Sequence, residues 1–129
     1  MILFRRTEPS DLLMLSDWIV NDPFHREKLT PEFFLTTGEG VSCYTVEDAE
    51  GPVAFMREEV ERDAARLHAQ FQFPEKRKRL TVAIEEGFPI IIAEAKERGF
   101  RQLRFEVDNL ALIKAMLRFG FRADLISDL

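Results

Sequence analysis

The fold of this chain is decided by residues 71–121, which read FQFPEKRKRLTVAIEEGFPIIIAEAKERGFRQLRFEVDNLALIKAMLRFGF. The pattern predicts the end of a strand, a basic turn, a long helix, another strand and a short helix that Gly120 ends. The turn carries an unbroken basic run from Lys76 to Arg79. A helix N-terminus favours anions, because its first N–H groups are unpaired and its dipole is positive there. The stretch therefore predicts a phosphate site where the strand meets the helix.

Composition places the chain among ordinary globular proteins. It has 129 residues, 46% of them hydrophobic and 32% charged, which predicts a single domain over residues 1–129. The net charge of −5 argues against nucleic-acid binding. The lone cysteine, Cys43, excludes an internal disulfide framework and fits a reducing compartment, so we expect a cytoplasmic location. No apolar run has membrane-spanning length and no metal-ligand pattern is visible, so we expect neither membrane nor metal binding.

The residues before this stretch show strand and helix patterns in turn. Strands are expected at residues 2–6, 41–47, 52–59 and 65–73. Thr7 is expected to cap a helix that ends before Pro23, and residues 33–35 read as one apolar helical turn. The strand at 65–73 alternates most regularly: its apolar face predicts a core, while the face that carries His68 is expected to meet water or a ligand.

Within the decisive stretch the hydrophobic period changes from two to 3.6 at Leu80. The long helix carries an apolar stripe, an expected kink at Pro89 and a C-terminal glycine, Gly99. A strand at 101–107 and a helix capped by Asn109 complete the pattern. This order of elements predicts an α+β fold.

The element order, with a basic turn before the long helix, resembles that of the Gcn5-related N-acetyltransferases, the acyl-CoA N-acyltransferase superfamily. The resemblance covers nearly the whole chain. It implies a mixed, mostly antiparallel sheet with helices on both faces. It also implies acetyl-CoA or another acyl-CoA as cosubstrate, and a small-molecule or peptide amine as acceptor.

The loop that holds the coenzyme A pyrophosphate in this superfamily falls on residues 77–82, RKRLTV. Arg77 matches the arginine or glutamine that opens the loop. Leu80 and Val82 stand where small residues normally let the backbone approach the phosphates.

The last helix matches the superfamily at Asn109, Gly120 and Phe121. Met116 stands where a tyrosine commonly protonates the departing thiolate, and a thioether has no proton to give. If the chain is an enzyme, we therefore expect slow acyl transfer.

The resemblance implies that the strands on either side of the long helix splay apart and leave a slot for the pantetheine arm. The residues expected to bind the cofactor are Phe71, Gln72, Phe73, Arg77, Lys78, Arg79, Leu80, Thr81, Val82, Asn109 and Met116. His68, or Glu58 on the preceding strand, is expected to accept the proton of the amine.

Plainer interpretations stay open for these residues. His68 and Glu58 also suit solvated strand positions, and the basic run suits an exposed first turn of a helix. Two other functions fit the sequence: a non-catalytic module that binds coenzyme A or another phosphorylated ligand, and an interaction protein that keeps the fold without the cofactor. The oligomeric state is open, and a homodimer is among the options.

Overall fold

The computed structural model describes residues 1–74, 76–107, 110–122 and 124–129, with Leu110 and Ala111 described by their backbone only. The helices and strands follow one another as β1 (Leu3–Arg6), α1 (Leu12–Asn21), β2 (Val41–Asp48), β3 (Gly51–Glu61), β4 (Ala64–Phe71), α2 (Arg77–Glu97), β5 (Gln102–Glu106), α3 (Leu110–Arg118) and β6 (Ile126–Asp128). Short 3-10 turns lie at Pro9–Asp11 and Pro31–Phe34.

The strands form one six-stranded sheet in the order β1-β2-β3-β4-β5-β6. Neighbouring strands are antiparallel except β4 and β5, which are parallel. A parallel pair needs a crossover connection, and α2 is that crossover. The α+β class and the mostly antiparallel sheet expected from the sequence are confirmed.

Hydrophobic cores lie on both faces of the sheet. The larger core joins α2 and α3 to the sheet and includes Leu67, Phe88 and Phe105. The smaller core lies under α1 and the turn at Pro31–Phe34, and it includes Trp18 and Phe55. Both faces of β4 are therefore covered in its middle. For the face that carries His68, water or a ligand was expected; contact with bulk water is wrong in the middle of β4, because α1 and the chain after it pack on that face.

The ends of α2 and α3 use the same backbone geometry. Gly99 has φ +87°, and Phe100 N–H donates to Ala95 O at 3.1 Å. Gly120 has φ +91°, and Phe121 N–H donates to Met116 O at 3.3 Å. Each glycine supplies the left-handed residue of a Schellman motif, which pairs the last helical carbonyls. The predicted helix ends are confirmed.

The start of α1 differs from the prediction. Thr7 does not cap the helix: its Oγ1 forms a hydrogen bond with Thr45 Oγ1 at 2.9 Å, across to β2. A 3-10 turn at Pro9–Asp11 leads into α1 instead, and Asp11 Oδ2 closes the start of that turn by accepting a hydrogen bond from the Glu8 N–H at 2.8 Å. Asp11 also binds Arg5 through both carboxylate oxygens, at 2.8 and 2.9 Å. None of the described helices is long and apolar enough to cross a membrane.

Candidate functional site

A cleft opens where β4 and β5 part. Their pairing runs from Ala64 opposite Gln102 to His68 opposite Glu106, whereas β4 stays paired with β3 as far as Phe71. Beyond His68, β4 therefore has no β5 residue beside it. The cleft has a volume of about 30 Å³ and is lined by Asp22, Phe24, His25, Ala69, Phe71, Gln72, Phe73, Glu106, Val107 and Leu112. It has the position expected for the pantetheine slot, and Phe71, Gln72 and Phe73 all line it.

Three polar side chains form a network on the α1 side of the cleft. Gln70 is fully buried, and its Nε2 donates to Asp22 Oδ2 at 3.0 Å and to Phe71 O at 2.8 Å. Its Oε1 lies 2.6 Å from His25 Nδ1. Asp22 and His25 come from the end of α1 and the turn after it, and Gln70 comes from β4, so the network joins the loop to the sheet.

This network determines which nitrogen of His25 carries the proton. The Gln70 amide already donates twice through Nε2, so Oε1 faces His25 and can only accept. Nδ1 of His25 must then be the donor. In a neutral imidazole the other nitrogen, Nε2, carries the free lone pair. His25, which lines the cleft, can therefore accept a proton at Nε2.

Three basic residues at the start of α2 are free to bind an anion. Lys76 precedes the first helical residue and has no side-chain cap, and the first turn has no acidic residue. The side chains of Lys76, Arg77 and Lys78 are exposed, and none has an ion pair within the parts of the chain that the structure describes. Positive charge at a helix N-terminus is unfavourable unless an anion compensates for it. This end of α2 therefore suits a phosphate group.

Arg79 does not belong to this free group. It is half-buried and binds Asp48 through two hydrogen bonds, at 2.7 and 2.9 Å, with a further contact to Glu50 at 3.3 Å. The guanidinium also donates to the carbonyls of Gly51 and Pro52. The interpretation of the whole basic run as an exposed first turn is therefore wrong for Arg79, because the turn between β2 and β3 holds its side chain.

The residues matched to the pyrophosphate loop lie in the first turns of α2, which begins at Arg77. Leu80 packs against the larger core, whereas Thr81 and Val82 are exposed. Thr81 borders a groove of about 170 Å³ between α2 and α3, which Arg118 and Phe119 also line. At the two positions where the superfamily has small residues, this chain has one core residue, Leu80, and one surface residue, Val82.

His68 lies beside the cleft without lining it. Its Nε2 is 2.6 Å from Glu59 Oε1, and its ring packs edge-on against Phe33 with centroids 5.0 Å apart. Its partner across the parallel pair, Glu106, does line the cleft. His68 is therefore a half-buried, paired side chain, and its role as a base stays a prediction.

Glu58 and Met116 lie away from the cleft. Glu58 is on the α2 face of β3, and its Oε2 accepts a hydrogen bond from Arg98 Nη1 at 2.8 Å. His68 is on the α1 face, so the structure does not bring the two predicted bases together. Met116 is 0% exposed within the larger core. Asn109 lies outside the described residues.

Cysteine and metal chemistry find no support in the described residues. Cys43 is buried, and burial raises the pKa of its thiol, so the reactive thiolate is disfavoured. No group of histidine, cysteine and carboxylate side chains with a metal-binding arrangement occurs in the described part of the chain.

Solved acetyltransferases share this architecture. The ribosomal-protein-S18-alanine N-acetyltransferase from Escherichia coli matches with a TM-score of 0.70 and 24% identity, over 95% of this chain and 78% of that one. This chain has the fold of the Gcn5-related N-acetyltransferases. The PaiA N-acetyltransferase from Thermoplasma acidophilum, solved with coenzyme A, has the same acetyltransferase fold, with a TM-score of 0.67 and 14% identity over 100% and 99% of the two chains.

A probable acetyltransferase from Staphylococcus epidermidis also has this acetyltransferase fold, with a TM-score of 0.70 and 16% identity over 95% and 84% of the two chains. No protein-family model matches the sequence, and no curated protein matches it. The low identities show a divergent example of the fold.

Within this acetyltransferase fold, sequence reasoning missed His25, Asp22 and Gln70. His25 lies in residues 24–40, for which the sequence patterns are weakest. Asp22 lies at the predicted end of the first helix, and Gln70 lies on the face of β4 that was expected to meet water or a ligand. One signal was available: Asp22-Pro23 marks a helix end, and helix ends often carry site residues on the loop that follows.

Proposed function

We propose that this protein is an acyl-CoA-dependent N-acyltransferase that acts on an amine. The observation that carries the proposal is the cleft between β4 and β5, which opens toward the same end of the sheet as the free cations Lys76, Arg77 and Lys78. One end of an acyl-CoA is a phosphorylated nucleotide and the other is a slender thioester arm. The cationic start of α2 suits the phosphate groups, and the narrow cleft beside it suits the thioester arm.

The described residues fit such a cosubstrate in part. Arg77 and Lys78 would hold phosphate, together with the unpaired N–H groups of the first turn of α2. The groove that Thr81 and Arg118 border would take the nucleotide. The cleft would take the pantetheine arm once its rim, which includes Phe71 and Phe73, widens, because about 30 Å³ holds little more than a water molecule. Bound there, the acyl-CoA supplies an acyl group activated as a thioester.

The α1 side of the cleft would receive the amine. His25 Nε2 accepts the amine proton, while Gln70 and Asp22 keep the other ring nitrogen protonated and the ring fixed. Backbone N–H groups of β4 beyond His68 would polarise the thioester carbonyl. Glu106 at the rim adds negative charge that favours an ammonium group on arrival.

One observation favours a second function, a non-catalytic module that binds coenzyme A. Met116 is buried in the core and has no acidic proton, so nothing at this position protonates a departing thiolate. Such a module would bind coenzyme A as tightly as acetyl-CoA and would show no turnover with any amine. A slow enzyme would release free thiol at a rate that depends on the amine.

The test compares thermal unfolding with and without acetyl-CoA in the wild type and in Arg77→Glu/Lys78→Glu. At about 100 times the Kd, the ligand should stabilise the wild type by about 2.7 kcal/mol. The double variant should lose most of this gain. Its stability without ligand should not fall, because both side chains are exposed and acidic residues are favourable at a helix N-terminus.

The matched control is Arg62→Glu/Arg101→Glu, which makes the same charge change at exposed residues at the other end of β4. It should keep the full response to acetyl-CoA. An equal loss in both double variants would show a general charge effect, and no stabilisation of the wild type would contradict the proposal.

A further inference from the structure

A second cavity lies at the far end of α2, between the helix and the first three strands. It has a volume of about 370 Å³ and is lined by Phe4, Arg5, Arg6, Ser42, Tyr44, Glu58, Ile91, Glu94, Ala95 and Arg98. Small-molecule sites commonly have volumes of about 300–1,000 Å³. At 1.5 Å per helical residue, Arg98 lies roughly 30 Å along the helix axis from Arg77. This cavity is therefore separate from the cleft and from the cationic start of α2.

The cavity contains a buried carboxylate with one unpaired oxygen. The Glu58 side chain is 9% exposed, and its Oε2 binds Arg98 at 2.8 Å. Its Oε1 has no hydrogen-bond partner among the described residues. This oxygen is open to the cavity. Hydrogen bonds to a carboxylate are stronger than those between neutral groups, so a ligand in the cavity can donate to it.

Tyr44 offers a second polar group beside this carboxylate. Within the described chain its hydroxyl has no hydrogen-bond partner. Burial of the ring raises the pKa of Tyr44, and the charges of Glu58 and Glu94 act in the same direction, so the hydroxyl keeps its proton. Phe4, whose ring centroid lies 5.8 Å from that of Tyr44, and Ile91 supply apolar wall.

Some of the arginines around the cavity form ion pairs within the described chain, and one does not. Arg5 forms ion pairs with Asp11 and Glu47, and Arg98 forms an ion pair with Glu58. Arg6 is exposed at the rim, and its guanidinium has no partner among the described residues. It stands on the same face of β1 as Phe4, two positions away. The cavity thus has an unpaired guanidinium, that of Arg6, at its rim. Inside, it has the unpaired Oε1 of Glu58 and the hydroxyl of Tyr44.

We propose that this cavity binds a small amino or hydroxy acid. The ammonium or hydroxyl group of the ligand donates to Glu58, the Tyr44 hydroxyl donates to an acceptor on the ligand, and the acidic group pairs with Arg6. The proposal does not rest on acyl transfer, because its residues and those of the cleft are different sets.

The test screens the common amino acids, L-lactate and L-malate, each at about 2 mM, by saturation-transfer NMR on the full chain, and then measures the Kd of the strongest probe. In Tyr44→Phe, which removes one hydroxyl, the Kd should rise about two- to ten-fold. In Arg6→Gln it should rise about two- to five-fold, as expected for an exposed ion pair. Arg77→Glu/Lys78→Glu is the control and should leave the Kd unchanged.

Both cavity substitutions are conservative, so the fold should survive them; thermal unfolding checks this. The proposal is overturned if no probe binds the wild type, or if the Kd is the same in Tyr44→Phe and Arg6→Gln as in the wild type. It is also overturned if coenzyme A displaces the probe competitively, because the probe would then be in the cleft.

Discussion

Gln70 shows how one side chain can prepare a site. It is fully buried, yet every polar atom of its amide has a partner: Asp22 and the carbonyl of Phe71 accept from Nε2, and His25 donates to Oε1. A buried amide keeps its orientation when all its hydrogen bonds are made. The carbonyl of Phe71 fixes the orientation of the Gln70 amide, and the Gln70 amide in turn determines that Nδ1 of His25 carries the proton.

His25→Gln should lower the acyl-transfer rate by about 10²–10⁴-fold, the usual contribution of a positioned general base. The binding of acetyl-CoA should change much less, because His25 lines the cleft but the phosphate-binding residues at the start of α2 stay in place. Steady-state kinetics with an amine substrate, combined with calorimetric titration of acetyl-CoA, separates the two effects.

His68→Gln is the matched control, since His68 is also half-buried and paired but lies outside the cleft lining. Its rate should fall much less than that of His25→Gln. A larger loss in His68→Gln would assign the proton transfer to His68 instead, one of the two bases expected from the sequence.

Met116→Tyr should destabilise the protein by about 1–3 kcal/mol, the usual cost of overpacking a filled core, with a further loss if the hydroxyl finds no partner. Leu117→Tyr is the control: Leu117 is 44% exposed, and this change should stay within about 0.5 kcal/mol. Urea unfolding measures both. Unchanged stability with faster turnover in Met116→Tyr would instead show that position 116 reaches the thioester.

At the scale of elements, the ends of α2 and α3 are determined by local geometry. Gly120 adopts φ +91°, and no atom lies within 4 Å of the place where a Cβ would stand. Gly120→Ala should therefore cost about 1–2 kcal/mol from backbone strain alone. Gly38→Ala also meets open space, without a left-handed φ, and should be nearly neutral. An equal effect in both variants, measured by chemical unfolding, would contradict this origin of the cost.

The order of elements could be predicted because each has its own period. Alternation marks β4, and an apolar stripe at helical spacing marks α2. The cap of α1 could not be predicted in the same way. Thr7 has good capping chemistry, but its hydroxyl instead meets Thr45, which lies 38 positions later and is adjacent only once β1 pairs with β2.

At the scale of the whole molecule, the site depends on contacts between distant positions. Arg79 meets Asp48 across 31 positions, and His25 meets Gln70 across 45. Neither pair follows from periodicity, because both depend on how the loops fold over the sheet. The slot beside Phe71 and Phe73 could be predicted only through the resemblance of the element order to the acetyltransferase superfamily, because parallel pairing alone does not make two strands part. The residues that face it from α1 could not.

Two pockets of different character lie near opposite ends of α2. The narrow cleft lies at the carboxyl end of β4, beside the basic start of α2, and the larger cavity lies near the other end of that helix. If both bind ligands, each should respond only to substitutions at its own end of α2. The two sets of variants described above test this independence directly.

The central claim is that the cleft between β4 and β5 receives coenzyme A. Hydrogen–deuterium exchange with about 1 mM coenzyme A tests it without a label or a substitution. The structure predicts slower exchange in peptides that cover residues 69–80 and 102–107, and no change in peptides that cover 41–46 and 91–98. Unchanged exchange throughout the chain, or slowing confined to 91–98, would contradict the claim.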